Sequence, residues 1–177
     1  KEADRVIAVS NATKEDIVNY LKMPEDKIKV IYEAADPMFI PQGNSYIESI
    51  KNKYKIYGEY LLAVGTGPRK NLDRVIRAYE ALKPKYKGLK LVVAGKGKLA
   101  EARGVIRVEE FEIKELAALY SGAKALVYPS LYEGFGLPIV EAFACSCPVV
   151  TSNISSMPEV AADAAILIDP SDVESIV

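Results

Sequence analysis

The chain has 177 residues, of which 50% are hydrophobic, and its formal net charge is −1. This is enough apolar material for one globular domain with a full core, and the charge gives no general attraction to nucleic acid or to an anionic membrane. Histidine is absent, which excludes every mechanism that uses imidazole as base, nucleophile or metal ligand.

No apolar run reaches the ~18 residues that a membrane-spanning helix needs, and no signal peptide is visible. Because the chain starts at Lys1 rather than Met, we expect the true N-terminus to be missing. Cys145 and Cys147 are too close for an unstrained disulfide and too few for a zinc site. We expect both to be small buried residues in a reduced compartment.

Short apolar strands alternate with helical patterns along the chain, which predicts a parallel sheet covered by helices. The predicted strands are 5–9, 27–32, 60–65, 89–94, 105–108, 124–129, 148–151 and 165–168. The predicted helices are 13–22, 46–57, 71–83, 98–103, 112–121, 136–146 and 156–162. Thr13, followed by Asp16, suits the start of the first helix, and Ser171 is the predicted cap of a last helix.

The most informative stretch runs from Glu133 to Glu141 and reads Glu-Gly-Phe-Gly-Leu-Pro-Ile-Val-Glu. It follows the apolar run Ala125–Ser130, which is typical of a buried strand, and it opens a helix. A strand, a glycine-bearing turn and a helix present unpaired N–H groups and a helix dipole to an anion, most often a phosphate. Glycines also let the backbone approach a ligand closely. The pattern predicts a phosphate-bearing ligand.

The same nine residues resemble the signature of retaining glycosyltransferases of the GT-B fold, in glycosyltransferase family 4, or group 1. Three further segments resemble the same family in the right order. Val30–Asp36 is similar to the start of its donor domain, Leu61–Leu72 to its donor-diphosphate loop, and Pro158–Val160 to a later helix start. The resemblance covers most of the chain. The family includes many mannosyl- and glucosyltransferases.

This resemblance implies an α/β fold, namely a Rossmann-like three-layer domain with a parallel sheet that forms one half of a GT-B fold. Residues 1–26 would be the connecting segment from an N-terminal domain. Residues 27–177 would be the nucleotide-sugar donor-binding domain, truncated at its C-terminus. The implied enzyme is cytoplasmic, and it would be peripheral at the inner membrane face through the missing N-terminal acceptor domain.

The implied reaction moves a sugar from a nucleotide diphosphate-sugar to an acceptor hydroxyl, with the α linkage kept. The acceptor would be a glycan or a lipid-linked sugar, and nucleic acid is not an expected partner. No Asp-x-Asp motif is present, so we expect neither a bound metal nor a cofactor besides the donor. The Pro-Arg-Lys-Asn form of the diphosphate loop looks most like mannosyltransferase-type members, which favours GDP-mannose as the donor.

Two cations follow the third predicted strand. In many members of the family an arginine comes directly after the strand-end glycine, here Gly65, but Thr66 occupies that place. Arg69 is expected to supply the missing cation, and Lys70 matches the family's lysine. Fixed cations stabilise the charge that gathers on a leaving diphosphate. The leaving phosphate itself is expected to take the acceptor's proton, which fits the absence of histidine.

The two glutamates receive different roles. The resemblance assigns Glu141, which is predicted to lie inside a helix, to a ribose diol, because a carboxylate accepts hydrogen bonds from two neighbouring hydroxyls. It places Glu133 beside the transferred sugar. A glycosidase-like pair would need carboxyls roughly 5–9.5 Å apart. Eight helical residues would separate Glu133 and Glu141 by ~12 Å, which disfavours such a pair.

The remaining expected donor contacts leave weaker traces in the sequence. The resemblance places these residues on the donor or its base: Gly65, Thr66, Gly95, Val108, Glu109, Gly134, Phe135, Gly136 and Leu137. The segment Gly95–Ala100 also fits G-x-G-x-x-A, a weak signal for a dinucleotide site. We interpret Gly95 and Gly97 as a turn beside the donor pocket. A nicotinamide-dinucleotide-dependent oxidoreductase and a non-catalytic nucleotide-sugar-binding module stay open as alternatives.

Overall fold

The computed structural model describes residues 3–97 and 102–177. Within these residues the strands are β1 Val6–Ala8, β2 Ile28–Val30, β3 Tyr60–Val64, β4 Lys90–Ala94, β5 Val105–Val108, β6 Ala125–Tyr128, β7 Val149–Ser152 and β8 Ile166–Ile168. The α-helices are α1 Asn11–Leu21, α2 Asn44–Lys53, α3 Leu72–Leu82, α4 Ile113–Gly122, α5 Leu137–Ala144, α6 Met157–Ala161 and α7 Val173–Ile176. The alternation of strands and helices predicted from the sequence is confirmed.

Strands β3 to β8 form one parallel sheet in the order β5-β4-β3-β6-β7-β8. The chain therefore runs outward from β3 to β5 on one side and from β6 to β8 on the other. The strand order reverses between β3 and β6, whose pairing sets Leu61 opposite Ala125. In doubly wound folds a crevice opens beyond the carboxyl ends of the strands at such a reversal. The loops that follow β3 and β6 therefore border the crevice.

Helices cover both faces of this sheet. Because alternate strand residues point to opposite faces, Leu62 and Leu126 join a core with α2, α4, α5 and α6. Their neighbours Ala63 and Val127 join a second core with α3 and α7. Two apolar layers on opposite faces of a parallel sheet confirm the predicted three-layer Rossmann-like domain.

Strands β1 and β2 form a separate two-stranded parallel sheet, connected through α1. The predicted start of α1 at Thr13 is wrong, because the helix begins at Asn11. Ser10 has an extended backbone and its side-chain oxygen accepts the N–H of Thr13 at 3.0 Å. Ser10 is therefore the N-cap, and Thr13 already lies in the first turn.

The predicted cap of the last helix is also wrong. Ser171 lies in the preceding turn, where its N–H donates to Asp169 Oδ1 at 2.7 Å. Asp172 caps α7 instead, since its side chain accepts the N–H of Glu174 at 3.0 Å. The carboxylate one residue later makes the cap bond that we expected from the hydroxyl.

Three other expectations concern helix bounds, the cysteines and membrane spans. Helix α2 ends at Lys53 rather than at residue 57, because Lys55 takes a left-handed conformation with φ of 56°. The predicted helix 98–103 falls mostly outside the described residues.

Cys145 and Cys147 are buried and unbridged, as predicted, and burial raises the pKa of each thiol to about 11. Among the described residues, no helix has the length and apolar character needed to cross a bilayer.

Candidate active site

The loop after β3 and the loop after β6 are joined at the point where the strand order reverses. Ser130 Oγ donates to the carbonyl of Arg69 at 2.9 Å. The buried Asn71 side chain donates to the carbonyls of Pro129 at 3.0 Å and Pro170 at 2.7 Å. These bonds fix the loop that carries Arg69 and Lys70 against the loop that carries Glu133.

Lys70, Tyr128 and Glu133 form a cluster at this junction, which we call the cleft triad. The Lys70 ammonium donates to Glu133 Oε1 at 2.6 Å and to the Tyr128 hydroxyl at 2.5 Å, and it lies 4.7 Å from the Tyr128 ring centroid. The same Glu133 oxygen accepts the hydroxyls of Tyr128 at 2.8 Å and Ser130 at 2.6 Å. The cation is therefore held in one place before any ligand arrives.

The electrostatics of the cleft triad keep Glu133 ionised. Burial raises the pKa of the Glu133 carboxyl, but hydrogen bonds from Lys70, Ser130 and Tyr128 outweigh it, so the pKa lies below its ordinary value. Burial and the neighbouring Glu133 raise the pKa of the Tyr128 phenol, which stays protonated. Among the described residues, all side-chain donors to Glu133 meet Oε1. Oε2 accepts none of them and is available to a ligand.

Two glycines let the neighbouring loops pack closely. A Cβ on Gly65 would lie 2.9 Å from Lys70 Cε, and a Cβ on Gly95 would lie 3.2 Å from Gly65 Cα. Both glycines have positive φ, 86° and 142°, which residues with a Cβ rarely adopt. The Thr66 hydroxyl donates to the carbonyl of Lys96. Thr66 therefore joins the β3 and β4 loops, and it is Gly65 that makes room for the stem of Lys70.

The segment Gly134–Leu137, which we call the glycine loop, leads into α5. Gly136 is left-handed with φ of 112°, and α5 begins at Leu137. Phe135 is buried, with its ring centroid 6.1 Å from that of Tyr32. Within residues 3–97 and 102–177, the backbone N–H groups of the glycine loop donate to no protein oxygen. Together with the cleft triad, the glycine loop lines an open cleft of about 350 Å³.

Glu141 lies inside α5 with partners of its own. Its Oε2 accepts the Tyr120 hydroxyl at 2.8 Å. Burial raises the pKa of the Glu141 carboxyl, and the Tyr120 hydrogen bond opposes this only in part. The expected run of eight helical residues between Glu133 and Glu141 is wrong, because Glu133 lies in a loop and α5 begins only at Leu137. The helical distance estimate therefore does not apply to this pair.

The structure does not bring every predicted site residue to the cleft. The Arg69 side chain is exposed, and Arg69 is not among the residues that line the cleft. Val108 is buried, with its carbonyl accepting the Gly95 N–H at 2.9 Å. Glu109 is exposed and ion-paired with Arg107. Arg69, Val108 and Glu109 thus lie apart from the cleft lining that contains Lys70 and Glu133. The other predicted site residues outside that lining are Gly65, Thr66, Gly95 and Glu141.

Several side chains of the site were not found from the sequence. Tyr128 and Ser130 stand at the carboxyl end of a predicted strand, and that position alone was a usable signal. Tyr120, which holds Glu141, comes from α4. Because Tyr120 and Glu141 lie in different helices, no local sequence pattern links them.

Comparison with known proteins places this geometry in a family. The profile of the family described as "Glycosyl transferases group 1" matches residues 47–177, a range that contains the cleft triad, the glycine loop and Glu141. The chain belongs to this family. Membership does not favour the oxidoreductase alternative drawn from Gly95–Ala100.

Curated relatives of this glycosyltransferase domain include mannosyltransferases. O-antigen chain mannosyltransferase B of Escherichia coli is 35% identical over 189 residues, which cover 98% of this chain and 50% of the relative. O-antigen chain mannosyltransferase RfbU of Salmonella typhimurium is 32% identical over 187 residues, which cover 99% of this chain and 49% of the relative. The chain spans about half the length of these two relatives.

Solved structures share the fold at low sequence identity. A glycosyltransferase from Rickettsia africae superposes with a TM-score of 0.84 at 20% identity, covering 98% of this chain and 51% of that one. Anabaena Alr3699/HepE, in complex with UDP and glucose, superposes with a TM-score of 0.85 at 18% identity, covering 98% and 52%. The domain therefore has the Rossmann-like fold of one half of a GT-B glycosyltransferase.

Proposed function

We propose that this chain is the donor-binding half of a retaining mannosyltransferase that uses GDP-mannose. The observation that carries the proposal is the cleft at the sheet reversal, which combines a fixed cation with a carboxylate and a loop. Among the described residues, one oxygen of that carboxylate and the N–H groups of that loop have no hydrogen-bond partner. Cations and fixed N–H donors suit a diphosphate, and a free carboxylate oxygen suits a sugar hydroxyl. The names of the mannosyltransferase relatives, and the UDP and glucose in the Anabaena complex, support a nucleotide-sugar donor.

In the proposed reaction, negative charge gathers on the diphosphate as its bond to the sugar breaks. An ammonium has three N–H groups, and Lys70 gives one to Glu133 and one to Tyr128. The third N–H group has no acceptor among the described residues, and we assign it to a phosphate oxygen. Because Lys70 is already held in place, it stabilises the transition state without reorganisation. The leaving phosphate takes the proton of the acceptor hydroxyl, and Arg69 adds a second cation from the exposed side.

The other roles follow from position. Glu141 offers Oε1 to the ribose hydroxyls, since Tyr120 occupies only Oε2. Glu133 offers Oε2 to the sugar, and the backbone near Val108 and Glu109 meets the base. We propose that the acceptor site belongs to a second domain, because the chain spans 50% of O-antigen chain mannosyltransferase B. That domain would hold the enzyme at the cytoplasmic membrane face, where a glycan or lipid-linked sugar accepts the mannose.

Titration calorimetry with GDP, UDP and ADP in a metal chelator tests the proposal. We expect GDP to bind most tightly and without added metal. Among the described residues, no group of three or more carboxylate, thiol or imidazole side chains is placed to hold a metal ion. Binding that needs magnesium, or no binding of any diphosphate, would contradict the proposal. NAD, which the oxidoreductase alternative requires, is the negative control.

A matched variant separates the cleft lysine from lysines in general. Lys83 pairs with Glu80 at 3.1 Å and lies 5.6 Å from the Tyr79 ring centroid, so its partners are of the same kind as those of Lys70. We expect Lys70→Ala to weaken diphosphate binding and Lys83→Ala to leave it unchanged. Equal losses in both variants would indicate a nonspecific charge effect.

A further inference from the structure

Two serines outside the cleft bind the backbone on either side of the Gly134 peptide. Ser155 Oγ donates to the carbonyl of Glu133 at 2.9 Å. Ser156 Oγ reaches the same carbonyl at 3.0 Å and the carbonyl of Phe135 at 2.6 Å. Both serines come from the segment between β7 and α6. This segment therefore holds two carbonyls of the site from one side.

The carbonyl between them is held from another element. Gly134 O accepts the hydroxyl of Ser10 at 2.6 Å and that of Thr13 at 2.8 Å. Both donors belong to the start of α1. Three successive carbonyls of the site thus accept hydrogen bonds from hydroxyl groups. We call the four donors the hydroxyl frame: Ser10, Thr13, Ser155 and Ser156.

Ser155 has a backbone that glycine would adopt more easily. Its φ of 58° lies in the left-handed region, which is unfavourable for a residue with a Cβ. Its side chain nevertheless makes two bonds to one residue, because Oγ also accepts the Glu133 N–H at 3.2 Å. The hydroxyl thus holds both backbone groups of Glu133, which a glycine cannot do.

Ser156 occupies a helix start without capping it. A serine at an N-cap usually accepts an N–H from the first turn of its own helix. Ser156 precedes α6, yet its side chain makes no cap bond there. It is fully buried, and its hydroxyl is directed at Glu133 and Phe135 instead. Capping therefore does not explain this hydroxyl.

Glu159 joins the two halves of the frame. Its carboxylate accepts the N–H of Asn11 at 2.9 and 3.0 Å and the Tyr32 hydroxyl at 2.7 Å. Burial raises the pKa of the Glu159 carboxyl, but the hydrogen bonds lower it by more, so the pKa lies below its ordinary value. Since Glu159 lies in α6 and Asn11 begins α1, the ionised side chain ties the element that follows Ser156 to the one that follows Ser10.

We propose that the hydroxyl frame positions the donor site. In a planar trans peptide the carbonyl and the next N–H point in opposite directions. Fixing the carbonyls of Glu133, Gly134 and Phe135 therefore fixes the directions of the next three N–H groups, which belong to Gly134, Phe135 and Gly136. The frame residues act through the glycine loop and Glu133 rather than on the ligand. The inference rests on the proposed function, because it assigns these N–H groups to the donor's diphosphate and sugar.

Ser155→Gly in the complete protein is the decisive variant. It removes the hydroxyl and relieves the left-handed backbone, so we expect a melting temperature equal to or above that of the wild type. Nucleoside diphosphate affinity should fall about tenfold, on the scale of one lost hydrogen bond. Affinity for the nucleoside without phosphates should stay unchanged. A merely structural serine would instead lower stability and weaken both ligands together.

Matched variants test the other side of the frame. Thr13→Val keeps the shape and removes the hydroxyl, whereas Thr13→Ser keeps the hydroxyl. We expect Thr13→Val to weaken diphosphate binding several-fold and Thr13→Ser to restore it. Tyr60→Phe is the control, because it removes a buried hydroxyl that lies away from the cleft. That hydroxyl donates to the Leu119 carbonyl at 2.8 Å. It should lower stability without changing the ratio of diphosphate to nucleoside affinity.

Backbone amide NMR of the ligand-free protein separates the two possible failures. We expect Ser155→Gly and Thr13→Val to shift the amide resonances of the glycine loop, whereas Tyr60→Phe leaves them in place. If the wild type binds diphosphates but neither its selective affinity nor these resonances respond to the variants, the positioning inference is overturned. If the resonances shift but the wild type binds no diphosphate, the proposed function fails and the assignment of these N–H groups to a donor fails with it.

Discussion

The cleft triad can be compared with another cluster of the same composition, which lies between α2 and α4. In the second, which we call the helix triad, Lys53 pairs with Glu115 and lies 5.0 Å from the Tyr54 ring centroid. The Tyr54 hydroxyl donates to Glu115 at 2.9 Å. The cleft triad has each of these contacts as well. The kinds of side chain present therefore do not distinguish a binding site from a structural contact.

The difference lies in which carboxylate oxygens are used. Glu115 binds Lys53 through Oε1, and its Oε2 accepts both the Tyr54 hydroxyl and the Glu112 N–H that completes a capping box. Among the described residues, Glu133 receives its side-chain donors on Oε1 alone. The Lys53 side chain is 53% exposed and that of Lys70 only 20%. A shielded cation beside a half-used carboxylate can take a ligand, whereas a fully used carboxylate fastens two helices.

Removing each lysine should give the largest contrast between the triads. In the complete enzyme we expect Lys70→Ala to lower turnover at saturating donor by ~10²–10³, the scale of one fixed donor to developing charge. Donor affinity should fall by less, because only interactions specific to the transition state raise the chemical rate. Lys53→Ala should keep near wild-type turnover. Steady-state kinetics with both variants measures the contrast.

One outcome would remove the catalytic role of Lys70. If Lys70→Ala bound the donor weakly but turned over normally at saturation, Lys70 would be a docking residue. Stabilisation of the leaving group would then fall to Arg69 or to the start of α5. Equal losses in Lys70→Ala and Lys53→Ala would mean that the two triads are not functionally different.

The fold followed from the sequence because its signals are local. Alternating apolar strands and helical patterns, such as 60–65 before 71–83, predicted the layers and located most elements to within about two residues of Tyr60–Val64, Leu72–Leu82 and the others. The errors occurred at helix ends. There, neighbouring polar residues compete for the same cap, as Ser171 and Asp172 do, and a single left-handed residue such as Lys55 stops a helix early.

The candidate site followed only in part. Lys70, Glu133 and the glycine loop carry a recognisable pattern within a few residues. The groups that hold them do not, since the Ser10 hydroxyl binds Gly134 from the far end of the chain and Tyr120 binds Glu141 from another helix. A hydroxyl that donates to a distant carbonyl or carboxylate leaves no periodicity in the sequence. These contacts could be found only in three dimensions.

Glu141 resembles Glu133 in this respect, because among the described residues it too accepts side-chain hydrogen bonds on one oxygen. We expect Glu141→Gln to weaken ribonucleoside diphosphate binding about tenfold, the scale of hydrogen bonds to a charged group. The affinity of the 2′,3′-dideoxy ligand should fall much less, since that ligand offers the carboxylate no hydroxyls to bind. The affinity losses from the substitution and from removal of the ribose hydroxyls should therefore be far from additive. Titration calorimetry of both ligands against both proteins measures this coupling. Equal losses for the two ligands would remove the ribose role.

The pH dependence of stability should give the smallest effect. Burial raises the pKa of the Glu115 carboxyl, but hydrogen bonds from Lys53, the Glu112 backbone and Tyr54 lower it by more. The pKa therefore lies below its ordinary value. A depressed folded-state pKa contributes stability that is present above the unfolded pKa and is lost as pH falls through the folded one. Glu115→Gln should therefore cost ~1 kcal/mol near neutral pH, on the scale of a lost cap, and progressively less in acid.

Glu141 should show the opposite sign in the same thermal melts, because burial raises the pKa of its carboxyl. The folded state then disfavours the ionised form, so ionisation destabilises the fold above the folded-state pKa, and this penalty disappears as the carboxyl protonates. Glu141→Gln should accordingly melt no lower than the wild type near neutral pH, and the two curves should converge in acid. A Glu141→Gln variant that is destabilised at neutral pH and recovers in acid, as expected for Glu115→Gln, would make Glu141 a structural carboxylate like that of the helix triad.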